Sequence, residues 1–177
     1  MVKPIILAVG AIPAIVALLI AIPMITKPDI PFSAANPYDT IEIEYTKHQL
    51  KKVSFGITDK VTAQKTEILL IKDNGETKYS VTKEGYPQPE INIQLNEKKI
   101  KKLTALIKET GFIAIPSESF PVKDDVIDYK KSNVKINLNG QTVQIHWPEQ
   151  NATEKFIPPI ITMVELELDQ IIKQIIE

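Results

Sequence analysis

From Pro4 to Ile25 the sequence runs for 22 residues without a charged side chain. No other feature constrains the chain as strongly. At about 1.5 Å per residue in a helix, such a run extends roughly 33 Å, enough to cross the hydrocarbon core of a bilayer with modest tilt. A soluble helix of this length normally keeps a polar face, and this run has none. Residues 1–26 are therefore expected to form a transmembrane signal-anchor helix. A cleaved signal peptide is the competing reading, but the run is longer than a typical signal core. The nearest small-x-small site, Ser33-Ala34-Ala35, also lies well downstream of its end. The amino terminus and Lys3 precede the run, whereas Lys27 beyond it is offset by Asp29. The positive-inside rule then predicts a single-pass protein of the cell membrane, N-terminus cytoplasmic and domain outside. The sequon Asn151-Ala152-Thr153 is compatible with that location.

Within the run, Gly10, Ala14, Ala17 and Ala21 follow spacings of four, three and four, which stacks them on one helix face. Such a face lets a neighbouring backbone approach closely, which is how helices associate in lipid. Pro13 removes one backbone hydrogen bond, and a neighbouring helix can help satisfy the freed carbonyl. Two readings stand side by side: a packing face for integral membrane subunits, or the ordinary abundance of alanine in membrane spans. The partners expected are the lipid bilayer and membrane protein subunits contacted through this helix.

Residues 27–39 continue a stretch holding Pro23, Pro28, Pro31 and Pro37, a density that favours extended, semi-rigid backbone. They read as a stalk. Residues 40–177 then read as an extracytoplasmic α+β domain in which period-two alternation dominates. Ile41, Ile43 and Tyr45 alternate with polar residues, as do Val53, Phe55 and Ile57. Residues 66–72 look like a more fully buried strand, joined through Asp73-Asn74-Gly75 to a partner at 76–82. Ile91, Ile93 and Leu95 suggest a further strand. Val134, Ile136 and Leu138 lead into Asn139-Gly140, and Val143, Ile145 and Trp147 return on the same period. Asn-Gly supplies the positive φ angles that tight hairpins need.

Two helices complete the set. The first has Asn96 as its N-cap, Gly111 just past its end, and Ile100, Leu103, Leu106 and Ile107 facing the core. The second follows Pro158-Pro159 and carries a continuous stripe of Ile160, Ile161, Val164, Leu168, Ile171, Ile172 and Ile175. Met163 and Leu166 fall outside that stripe, a hint of an additional contact. The order of elements predicts a mainly antiparallel sheet with two helices packed on one face.

The composition excludes several chemistries. The chain has no cysteine, so thiol catalysis, disulfides and thiolate metal sites are ruled out, and the domain depends on its own core. All 21 basic residues are lysine, which removes arginine-fork recognition of phosphate or carboxylate. A net charge of −1 provides no field to recruit nucleic acid. No phosphate-binding glycine loop, nucleophile elbow or metalloprotease motif is present, and no cofactor or catalytic residue is expected.

The residues open to a site on the outer domain are few. His48 and His146 both fall on the polar register of their strands, away from the helices, and would need a carboxylate to complete a useful metal shell. Asp124, Asp125 and Asp128 cluster in one loop but lack the ligand spacing of a known calcium motif. The lysines of the first helix (Lys98, Lys99, Lys101, Lys102 and Lys108) read as a solvated face, or as one meeting anionic headgroups or an acidic partner. Ligand or metal binding on the outer sheet face is the alternative to a protein-interaction role.

The stretch KLTALIKETGFIAIPSESF, with Gly111-Phe112 at its helix end and Asn139-Gly140 in the later hairpin, resembles domains of unknown function on archaeal and bacterial cell surfaces. The likeness spans roughly residues 66–176 and carries no catalytic residues with it. Together with NATEKFIPPIITMVE, the whole arrangement is similar to single-span proteins of ammonia-oxidising archaea. Some of those are accessory subunits of the copper-dependent membrane monooxygenase. The resemblance implies a structural role here, because no copper-ligand cluster is visible in this sequence.

Overall fold

Strand β1 (Ile41–Phe55) folds back on β2 (Thr58–Ile71), which returns through Asn74-Gly75 to β3 (Glu76–Lys83). The computed structural model describes residues 35–116 and 120–177, all within the unit Pro31–Glu177. Two short strands, β4 (Tyr86–Pro87) and β5 (Ile91–Gln94), share the outer edge of β3. Helix α1 (Glu97–Glu109) follows, then a 3-10 turn at Phe112–Ala114. The chain rejoins the sheet as the hairpin β6 (Asp128–Leu138) and β7 (Gln141–Pro148), and ends in α2 (Pro159–Ile176). All pairings are antiparallel, and the seven-stranded sheet runs β4, β3, β2, β1, β6, β7, with β5 beside β4 on β3.

One face of this sheet is the core. In register across it stand Ile43, Ile71 and Ile136, then Tyr45, Leu69 and Val134, all at most 2% exposed. Each such aliphatic side chain contributes about 1.5–3 kcal/mol relative to exposure, which is how a cysteine-free domain holds together. Helix α2 lays Ile161, Val164, Leu168, Ile171 and Ile172 on that face. Beside it, α1 is tied on by Lys102, whose ammonium meets Glu167 at 2.8 Å, and by a bond from Lys99 to Gln174. Asn96 caps α1 by accepting the Lys99 backbone N–H at 2.9 Å, and Gly111 takes φ 66° just past its end.

The structure differs from the sequence expectation in three places. Residues 41–55 form one continuous strand rather than two segments, and Ile57 lies in the turn beyond it, fully exposed. Strand β2 is buried on one side only: Leu69 and Ile71 face the helices, while Leu70, 37% exposed, lies on the uncovered face with Ile68. The aliphatic run hides a period of two because both of its faces are apolar. The lysines of α1 are mostly engaged within the chain, Lys101 with Glu97, Lys102 with Glu167 and Lys108 with Asp39.

β1 and β2 are also longer than their neighbours. β6 stops pairing at Lys51 and β3 at Lys65, so beyond the Lys52 N–H bond to the Ile127 carbonyl at 2.7 Å residues 52–55 and 58–61 are paired with each other alone. A bulge at Gln49/Leu50 marks the base of this projecting arm. At the opposite end, the approach to β1 is pinned. Asp39 meets Lys108 at 2.8 Å and accepts from the Asn139 side chain at 2.8 Å, while Thr40 N–H donates to Asn139 Oδ1. Burial pushes the Asp39 carboxyl up, but the bonds from Lys108, Asn139 and Asn36 together hold it below the usual carboxylate value.

The anchor helix expected over residues 1–26, with Gly10, Ala14, Ala17 and Ala21, lies outside the described residues. Among those described, no helix is long and apolar enough to cross a membrane.

Candidate functional site

The helix-facing side of the sheet changes character along its strands. On β1 it reads Ile41, Ile43, Tyr45, Lys47; on β6 it reads Leu138, Ile136, Val134, Ser132; on β7 it ends at Trp147. The register aligns Lys47 with Ser132, and Ser132 with Trp147, so three neighbouring strands turn polar at one level. Helix α2 brings Glu165 and Asp169 over that level. Four residues apart, the two carboxylates share one side of the helix.

The result is a network with few spare valences. Glu165 accepts from Ser132 Oγ at 2.7 Å and Trp147 Nε1 at 3.1 Å, and at 3.3 Å it shares the single Tyr45 hydroxyl proton with Asp169. Asp169 accepts from the Tyr45 hydroxyl at 2.9 Å and the Lys47 ammonium at 2.8 Å. Burial, reinforced by the charges of Glu165 and Asp169, pushes the Tyr45 phenol far above its ordinary value, so it stays a donor. Next to this network, Tyr79 donates to Glu67, which also pairs with Lys65 at 3.1 Å. Burial raises the Glu67 carboxyl, yet the Tyr79 and Lys65 bonds outweigh it and leave it below the usual value.

A cavity of about 310 Å³ opens beside the network, bounded by Lys130, Glu149, Gln150 and Thr162 in addition to Ser132 and Glu165. The Ser132 hydroxyl donates to a carboxylate that already serves two other donors, and neither histidine is near it to act as a base. What the network does is fix the angle of α2 on the sheet.

The residues singled out from sequence lie elsewhere. His48 and His146 both stand on the uncovered face. His48 pairs with Lys131 on β6, and His146 with Asn133 on the same strand. The imidazoles are thus separated by a whole strand, roughly 10 Å laterally. Burial lowers both imidazoles below their ordinary value, and the Lys131 charge between them lowers them further. His48 Nδ1 is within hydrogen-bond distance of Thr66 Oγ1, at 3.0 Å. Asp124 and Asp125 sit in the loop before β6, and Asp128 opens β6 opposite Lys51. Among the described residues no group of three or more His, Cys, Asp or Glu side chains is placed to hold a metal ion.

Glu165 and Asp169 carry no mark in the sequence, since both stand beside the apolar stripe of α2, where solvated residues ordinarily fall. A usable signal was present in the strands: on the inward register Lys47 follows Ile41, Ile43 and Tyr45, and Ser132 comes before Val134, Ile136 and Leu138. Polar groups at such positions call for a partner from the covering layer. No protein-family model matches the chain, and no curated protein matches it.

Proposed function

We propose that the chain is a membrane-anchored, extracytoplasmic protein-interaction subunit: a non-catalytic accessory or scaffold component of an integral membrane complex. The archaeal copper-dependent monooxygenase is the complex to which the sequence resemblance points. The observation that carries the reading is the two-stranded arm. It extends beyond the rest of the sheet and ends in Ile57, wholly exposed, with Val61 49% exposed on its flank. A large apolar side chain held at the end of a projecting hairpin gains nothing for this domain's own core. It gains when a partner covers it. The anchor residues Gly10, Ala14, Ala17 and Ala21 supply a second contact, within the bilayer.

The test is purification of the tagged chain in mild detergent from its native membrane, followed by mass spectrometry. An integral membrane protein is expected to co-purify, and its yield is expected to fall for Ile57→Asp and for the pair Ala14→Leu and Ala17→Leu. Recovery of the chain alone, or co-purification untouched by both changes, contradicts the proposal.

A further inference from the structure

The two edges of the sheet are treated differently. On the β3 side the edge is broken into two short strands of two and four residues, interrupted by Pro87 and Pro89 and crossed by the Lys78–Glu90 ion pair at 2.6 Å. Short strands, prolines and charges are the usual protections against unwanted strand pairing. On the other side stands β7, eight residues long, with no charged residue between Gln141 and Pro148 and no proline before its end.

The hydrogen-bond phase of β7 follows from its turn. In a two-residue hairpin the residues flanking the turn, Leu138 and Gln141, face each other as a bonded pair. Bonded and non-bonded pairs then alternate, so Gln141, Val143, Ile145 and Trp147 direct their N–H and C=O groups to β6. Thr142, Gln144 and His146 direct theirs outward. No backbone hydrogen bond joins these three residues to any described residue outside the strand. Their side chains all stand exposed on the uncovered face, with Gln144 Nε2 reaching to Asn133 Oδ1 at 3.1 Å, and the 3-10 turn Phe112–Ala114 lies against β7.

We propose that β7 pairs antiparallel with β7 of a second copy of this chain, about a two-fold axis at Gln144. In that arrangement Gln144 faces Gln144 of the other copy, and Thr142 faces His146 on either side. About six backbone hydrogen bonds form, using all the outward groups of the three residues. The occupant is a second copy because the strip is self-complementary. Reversed on itself it places no like charges together on the open face, and it sets Val143 against Ile145 on the helix side, where both are already buried. The two sheets become one continuous sheet. This inference is independent of the membrane-complex reading, which rests on the arm.

The test uses the full chain purified in a mild non-ionic detergent, with its mass measured by detergent-corrected light scattering. Because the chain has no cysteine, Gln144→Cys supplies a single thiol per copy. Bonded antiparallel residues lie about 5.5 Å apart at Cα, within disulfide reach. The expected results are a dimer for the native chain, rapid disulfide linkage of Gln144→Cys on oxidation, and none for Asn92→Cys on the opposite edge. Gln144→Pro is expected to give a monomer with the fold intact, since the lost N–H points away from β6. If that variant melts early, Gln144→Lys replaces it, with the same expected loss of dimer. A native monomer overturns the proposal. So does a dimer that survives the proline and lysine changes, or a Gln144→Cys dimer whose thiols stay unlinked on oxidation.

Discussion

At the scale of single residues, two groups of side chains carry testable consequences. Glu165 is the shared acceptor for Ser132 and Trp147, while Tyr45 keeps its shorter bond to Asp169. Removing it strands buried donors rather than merely deleting a bond. Glu165→Ala is expected to lower unfolding free energy by about 2–4 kcal/mol, measured by urea denaturation, since each unsatisfied buried group costs about 1–3 kcal/mol. Glu165→Gln keeps an acceptor and is expected to lose less. The histidines set a pH dependence. Both titrate below the ordinary value of 6.5 in the fold, burial being the first cause and Lys131 the second. As pH falls below 6.5, the unfolded chain takes up protons that the folded one does not. Their contribution to stability is therefore complete above that pH and declines below it, towards the folded-state values. Urea midpoints measured from about pH 7.5 to about pH 5 are expected to fall, and the double change His48→Gln, His146→Gln is expected to flatten that slope.

At the scale of elements, the turns separate two roles for glycine. Gly140 has φ 83° with open space where a Cβ would stand, so Gly140→Ala costs only the left-handed backbone. That is about 1–2 kcal/mol. Gly75 has φ 84° and, in addition, a Cβ there would lie 2.6 Å from the Leu95 carbonyl oxygen. Leu95 N–H donates to the Gly75 carbonyl at 2.9 Å, so the turn and the start of α1 are locked together. Gly75→Ala is expected to shift the thermal midpoint clearly further than Gly140→Ala, by calorimetry.

This contrast also shows what was legible in the sequence. Both Asn-Gly hairpins, the Asn96 cap and the stripe of α2 were readable because turn chemistry and periodicity are local. The close approach of Leu95 to Gly75 was not, since it joins residues 20 apart in sequence. Nor was the continuity of β1 past Lys51 and Lys52, where alternation lapses and pairing with β2 sustains the strand. The polar network was least legible of all. Glu165 lies 120 residues from Tyr45, and nothing in either neighbourhood names the other.

At the scale of the whole molecule, the arm and the sheet are separable. Residues 53–55 and 58–60 pair with each other alone, and the Lys52–Asp59 bridge at 2.9 Å is exposed. Replacing residues 54–59 with a tight Asn-Gly turn is expected to change stability by no more than about 1 kcal/mol, by thermal melting. The same change is expected to reduce recovery of a membrane partner, so folding and association can be read apart.

The pinned approach to β1 bears on how the domain carries load. Asp39 fastens the incoming chain to α1 and to the β6–β7 turn, and Thr40 leads directly into a strand bonded on both sides. Tension applied at Thr40 in line with β1 shears two ladders of hydrogen bonds at once instead of peeling an edge strand bond by bond.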